Sequence, residues 1–133
     1  VVNRTEERAH ELVRAFAEHP AAARLSAGGT ASGIMLHSQW DVVINATASS
    51  LGDTAPDLPP GLYAPDSLAY DMMYASQPTA FMRQATTDGA ARTADGLGML
   101  VEQAAESFFL WRGVRPQTAP VLSSLRAMLQ TGA

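Results

Sequence analysis

Apolar residues recur at helical spacing from Thr5 onward, at Ala9, Leu12, Val13 and Phe16, and this pattern predicts a helix that starts at Thr5 and ends near Pro20. Ahead of it, Val1 and Val2 read as the last residues of a strand leading to Asn3. The stretch from Arg24 to Ser38 is rich in Gly, Ser and Ala, with Gly28, Gly29 and Gly33 as breakers, and predicts loop with at most a short strand. Asp41 to Ala46 (DVVINA) is a β-branched run of the kind that parallel sheets bury on both faces. The prolines between Ser49 and Pro65, Pro59 and Pro60 among them, predict mostly loop. Leu68 to Met73 predicts a second strand, Thr79 the start of a helix running to about Thr86, and Ala90 to Thr93 a third, short strand. From Leu97 a long helix carries Leu100, Val101, Ala104, Ala105, Phe108 and Trp111 and stops at Gly113, a residue suited to the left-handed turn after a helix. A last helix is predicted from about Thr118 to Leu129.

Strand and helix therefore alternate, which predicts an α/β fold, a parallel sheet with flanking helices followed by C-terminal helices. The chain begins with Val1 in place of methionine, within what reads as a strand's end, and is expected to be a piece of a longer chain. With 133 residues, 47 % of them hydrophobic, it has enough apolar side chains for a core. A net charge of −4, spread along the chain, leaves no basic face, so no nucleic-acid partner is expected. No apolar run approaches the roughly 18 residues of a membrane span, and no signal segment opens the chain. No membrane partner is expected, and with zero cysteines the composition is compatible with a cytoplasmic protein. His10, His19 and His37 lack metal-ligand spacing with one another or with carboxylates, so no metal is expected. Neither a phosphate-binding P-loop nor a serine-centred elbow is present.

Chemistry concentrates in four short segments. In a dinucleotide-binding sheet the end of the second strand meets the adenosine ribose, where an acid favours NAD and an arginine accommodates the 2′-phosphate of NADP. Here that position reads Asn3-Arg4-Thr5. Arg4 and Arg8 lie four residues apart and converge on the helix start, where Thr5 is placed to cap and Glu6 and Glu7 meet the favourable end of the helix dipole. Taken alone, the segment reads better as an ordinary capped surface helix. Asn45-Ala46-Thr47 follows a strand directly, and strand C-termini are where open α/β sheets bind ligands. A polar turn would look the same. Asp71-Met72-Met73-Tyr74 ends the second strand, where paired methionines commonly serve as core. Asp95-Gly96-Leu97-Gly98-Met99 opens the long helix with two glycines in three positions, which lets the backbone pass close to a planar ring. Gln103 falls one turn beyond Met99 on the same face, with Glu106 and Ser107.

In this order, VVNRTEERA, NATASS, DMMY and ADGLGMLVEQAA together resemble the shikimate dehydrogenase family over essentially the whole chain. The resemblance implies a Rossmann-like parallel sheet that is incomplete, its first strand and glycine-rich loop absent, with residues 1–98 a partial NADP-binding domain and 99–133 helices that return to an absent substrate domain. It implies an NADP-dependent oxidoreductase interconverting 3-dehydroshikimate and shikimate. By the same resemblance Asn3, Arg4, Thr5, Arg8, Thr47, Met72, Gly96 and Met99 bind NADP, and Tyr74 and Gln103 bind shikimate. Gly52 comes one residue later than in the family's pattern, and Met73 stands where an aromatic residue is usual. The family's proton-transfer pair, a lysine and an aspartate, lies in its N-terminal half. All nine basic residues here are arginines, so no catalytic residue is assigned in this chain, and the chain alone is expected to be inactive. Two alternatives stand beside this reading: a quinate/shikimate dehydrogenase paralogue, and a non-catalytic nucleotide-binding module. Without the missing half, Phe108, Phe109, Trp111 and Leu125 would be left uncovered, and self-association through that apolar surface is expected.

Overall fold

The computed structural model describes residues 1–30 and 38–132, so the expectations placed on Gly33 and His37 lie outside the described residues. Its centre is a three-stranded parallel sheet formed by β1 (Trp40–Asn45), β2 (Tyr63–Asp71) and β3 (Arg92–Ala94), in that spatial order. Among the described residues four α-helices accompany it: α1 (Glu6–Ala15), α2 (Ala80–Thr87) between β2 and β3, α3 (Leu97–Arg112) and α4 (Thr118–Thr131). The predicted α/β class with C-terminal helices is the observed one. The core lies between the sheet and α2, where Leu62, Tyr63, Ala69, Phe81 and Ala85 are buried together and Val2, Val43, Leu58 and Ala90 close around them. Phe81 is its largest fully buried side chain, and replacing it with alanine would cost about 3 to 5 kcal/mol.

β2 departs from the sequence expectation. It begins at Tyr63, inside the proline-rich stretch read as loop, and ends at Asp71 instead of Met73. Pairing explains how a proline is tolerated. Trp40 faces Tyr63, whereas Val42 faces Leu68, so β2 carries surplus residues opposite one step of β1. Pro65 and Asp66 sit in that bulge, where no ladder hydrogen bond is lost to the missing proline N–H, and Asp66 takes a left-handed backbone with φ +63°. Beyond the bulge the register is regular and sets Asn45 directly beside Asp71.

At the N-terminus, Val2 pairs in parallel with Gly28 in a single bridge, supported by Asn3 N–H donating to the Gly28 carbonyl at 3.2 Å. The expected strand end thus reduces to one bridge. α1 stops at Ala15, short of Pro20, because the next amides turn back more tightly: Phe16, Ala17 and His19 each donate to the carbonyl three residues earlier. Gly113 ends α3 with φ +70° and donates to the Phe109 carbonyl at 2.8 Å, the predicted helix stop. The apolar stripe read along α3 is divided. Leu97, Val101 and Ala105 are buried, while Ala104, Phe108 and Trp111 face outward. Among the described residues no helix is long and apolar enough to cross a membrane.

Candidate functional site

The start of α1 is organised by Asn3, not by Thr5. Thr5 holds the cap position, but its side chain makes no capping bond; the Asn3 Oδ1 accepts the Thr5 N–H at 2.9 Å. The capping bond expected of Thr5 is not made; instead the Asn3 side chain closes a turn just ahead of the helix. The two acids that follow are occupied along the helix. Glu6 faces His10 at 3.4 Å, and Glu7 accepts from the Arg14 guanidinium at 2.6 Å, which holds its carboxyl below the usual carboxylate range. Arg4 and Arg8, by contrast, have no ion-pair partner among the described residues.

Both arginines, together with Asn3, line a cleft of about 1080 Å³ whose far wall is β1 and the turn after it, including Asn45 and Thr47. Two segments roughly 40 residues apart in sequence thereby share one open space, lined by arginines, by the polar Asn45 and Thr47, and by apolar residues such as Val42, Ile44 and Leu58. The second segment is fixed by a buried network that sequence reading missed. Asn45 Oδ1 accepts from the Thr47 N–H at 3.1 Å and its hydroxyl at 2.8 Å, while Asn45 Nδ2 donates to Asp71 Oδ1 at 3.2 Å. Asp71 is fully buried; its Oδ1 also accepts the Met73 N–H at 3.0 Å, and its Oδ2 accepts the Thr79 hydroxyl at 2.6 Å. Thr79 in turn caps α2, accepting the Met82 N–H at 3.3 Å. One carboxylate thus joins the ends of β1 and β2 to the start of α2, and the Asn45 carbonyl accepts the Met72 N–H at 3.0 Å.

The segment from Asp95 to Met99 closes on the one from Asp71 to Tyr74. Gly96 N–H donates to the Met73 carbonyl at 3.0 Å, and a Cβ at Gly96 would overlap the Met72 carbonyl group. The close approach that demands glycine here is therefore to the backbone at Met72. Gly98 meets nothing within 4 Å, so its missing side chain leaves open space. Asp95, one residue before Gly96, accepts the Leu97 N–H at 3.3 Å and receives both Arg126 guanidinium nitrogens, at 2.6 and 2.7 Å. That bond to Asp95 raises the Arg126 pKa further.

Of the residues singled out by sequence, Asn3, Arg4, Arg8 and Thr47 come together on the cleft, and Thr5 stands beside it off the lining. Met72 and Gly96 are in direct contact. Met72, Met99 and Gln103 are exposed, and so is much of Tyr74. Asp71 and Asp95 stand in segments that the sequence singled out, but nothing in their spacing pointed to Asn45, Thr79 or Arg126 as partners; the parallel register and the chain's return in α4 bring those near.

Residues 96–126, from the Gly96 contact through Arg126, match the family described as Shikimate 5′-dehydrogenase C-terminal domain. The chain carries the C-terminal portion of the shikimate dehydrogenase family. It is 63 % identical over 131 residues to a shikimate dehydrogenase (NADP(+)) of Bordetella petrii, a match covering 97 % of this chain and 45 % of that relative. Among solved structures it is similar to an Ael1 enzyme from Pseudomonas putida, with TM-score 0.78 and 42 % identity over 93 % of this chain and 44 % of that one. It is also similar to the shikimate 5-dehydrogenase of Thermus thermophilus in complex with NADP(H) and shikimate, with TM-score 0.70 and 31 % identity over 97 % of this chain and 45 % of that one. The chain thus spans a little under half the length of the relatives it matches.

Proposed function

We propose that the protein carrying this chain is a cytoplasmic NADP-dependent shikimate dehydrogenase that interconverts 3-dehydroshikimate and shikimate in aromatic amino acid biosynthesis. The observation that carries this reading is the pair of arginines, Arg4 and Arg8, unpaired among the described residues at the rim of a cleft, while the neighbouring acids Glu6 and Glu7 are engaged with His10 and Arg14. An anion there meets Arg4 and Arg8, neither of which is held by a carboxylate in an ion pair among the described residues, and the start of α1 adds amides whose dipole favours negative charge. These residues suit the 2′-phosphate of NADP, and NADPH, when bound, supplies the hydride.

Asn3, Arg4, Thr5 and Arg8 would hold the adenosine end, Thr47 the middle, and Met72, Gly96 and Met99 the nicotinamide end. Tyr74 and Gln103 would offer hydrogen bonds to shikimate hydroxyls. Residues 1–98 then form part of a cofactor domain, and 99–133 are helices that reach toward a substrate domain. Proton transfer belongs to a lysine–aspartate pair by the family resemblance, and this chain has no lysine.

The test is NADPH oxidation by the protein as encoded, with 3-dehydroshikimate and with 3-dehydroquinate offered separately. Turnover of the first with NADPH is expected. Preference for the second would make it a quinate/shikimate paralogue, and nucleotide binding without turnover would make it a non-catalytic module.

A further inference from the structure

Arg126 lies near the end of the chain, on a helix without a single buried residue, yet it makes the only two-pronged ion pair among the described residues. Its partner is not another surface acid. The Asp95 side chain is 10 % exposed and stands between β3 and α3, immediately before the glycine whose backbone is pressed on Met72. The first turn of α3 is therefore gripped from two directions. On one side the Gly96 N–H is bonded to the Met73 carbonyl; on the other, Arg126 reaches across from α4 and fixes both oxygens of Asp95, one of which also accepts the Leu97 N–H.

Such a pair is a poor device for raising stability. Desolvating a carboxylate largely offsets the attraction, and a partly exposed arginine adds little net free energy. What a planar guanidinium does supply is direction, because two parallel bonds fix a carboxylate's rotation as well as its position. We propose that Arg126 is a positioning residue: through Asp95 it sets the placement of Gly96 and of Met99 one turn on, and so the surface offered to the reacting end of the cofactor. This rests on the shikimate dehydrogenase reading. It assigns α4 a part in the cofactor site, beyond the role of a helix directed toward the substrate domain.

The experiment compares the protein as encoded with Arg126→Gln, Arg126→Lys, Asp95→Asn and the double variant Asp95→Asn with Arg126→Gln. Arg4 and Arg8 hold the far end of the nucleotide, so the Kd for NADPH should stay within about twofold while kcat falls roughly ten- to a hundredfold, the scale of a small misplacement at the reacting atoms. Arg126→Lys keeps the charge without the fork and should recover only part of the loss. The double variant should be no slower than Arg126→Gln alone, since both remove one interaction. A lowered melting temperature with kcat unchanged in Arg126→Gln overturns the proposal, and should that variant fail to fold, full kcat in Arg126→Lys or Asp95→Asn does the same. Absence of turnover in the unsubstituted protein would instead strike at the enzymatic reading. The latch is then judged by amide NMR shifts from Gly96 to Met99, which Arg126→Gln should move and which, unmoved, refute it.

Discussion

Gly96 stands where no side chain fits. Its φ is ordinary for a helix start, so the demand is not for backbone freedom but for the absence of a Cβ against the Met72 carbonyl. Rigid backbone lies on both sides of that contact, and neither can yield cheaply. Gly96→Ala should therefore destabilise the protein by about 1 to 3 kcal/mol, the usual cost of forcing an extra carbon into a filled space. Gly98→Ala meets nothing within 4 Å and serves as the control, so thermal unfolding of the two variants should differ clearly. Equal melting temperatures would mean that the Met72 carbonyl moves aside. The sequence motif pointed to both glycines for one reason, a close ring; the structure separates them, one closed by backbone and one open.

At the scale of elements, much was legible because it depends on local pattern. β1, the Thr79-capped α2, β3, and α3 with its Gly113 stop follow from β-branched runs, helical periodicity and glycine placement, and they fall within a few residues of expectation. The start of β2 was hidden because Pro65 signals loop, whereas the bulge that admits it exists only once β1 is alongside. The division of the α3 stripe and the Asp71 network were hidden for the same reason, as burial and partners are set by neighbours distant in sequence. Tyr63, at the concealed start of β2, gives an element-scale test. Burial, with a smaller contribution from the Asp88 charge, pushes its phenol up to about 12 from 10.0. The raised pKa favours the protonated, folded form, so this contribution is intact below pH 10 and is lost as pH climbs toward 12. Denaturant midpoints should fall across that window in the unsubstituted protein, and Tyr63→Phe should flatten the fall. A slope that survives the substitution would trace it to another group.

At the scale of the whole molecule, large apolar side chains stand open to solvent. Leu110 is 74 % and Trp111 80 % exposed at the end of α3, with Phe108, Phe109 and Val114 beside them, and Val42 and Ile44 face the cleft along β1. Residues 1–133 prepared alone should self-associate, seen by light scattering at micromolar concentration as a mass above that of one chain. A cooperative monomer that binds no hydrophobic dye would contradict this. The cleft itself joins the two halves of the functional reading, since the arginines at α1 and the turn after β1 meet only there. Its most direct test is cofactor preference with Arg4 and Arg8 both changed to alanine in the protein as encoded. Two charge-assisted contacts leave a net of about 2 to 4 kcal/mol, so the preference for NADPH over NADH should shrink roughly 30- to 1000-fold while NADH kinetics barely change. Equal losses for the two cofactors, or an unaltered preference, would show that these arginines do not bind the 2′-phosphate.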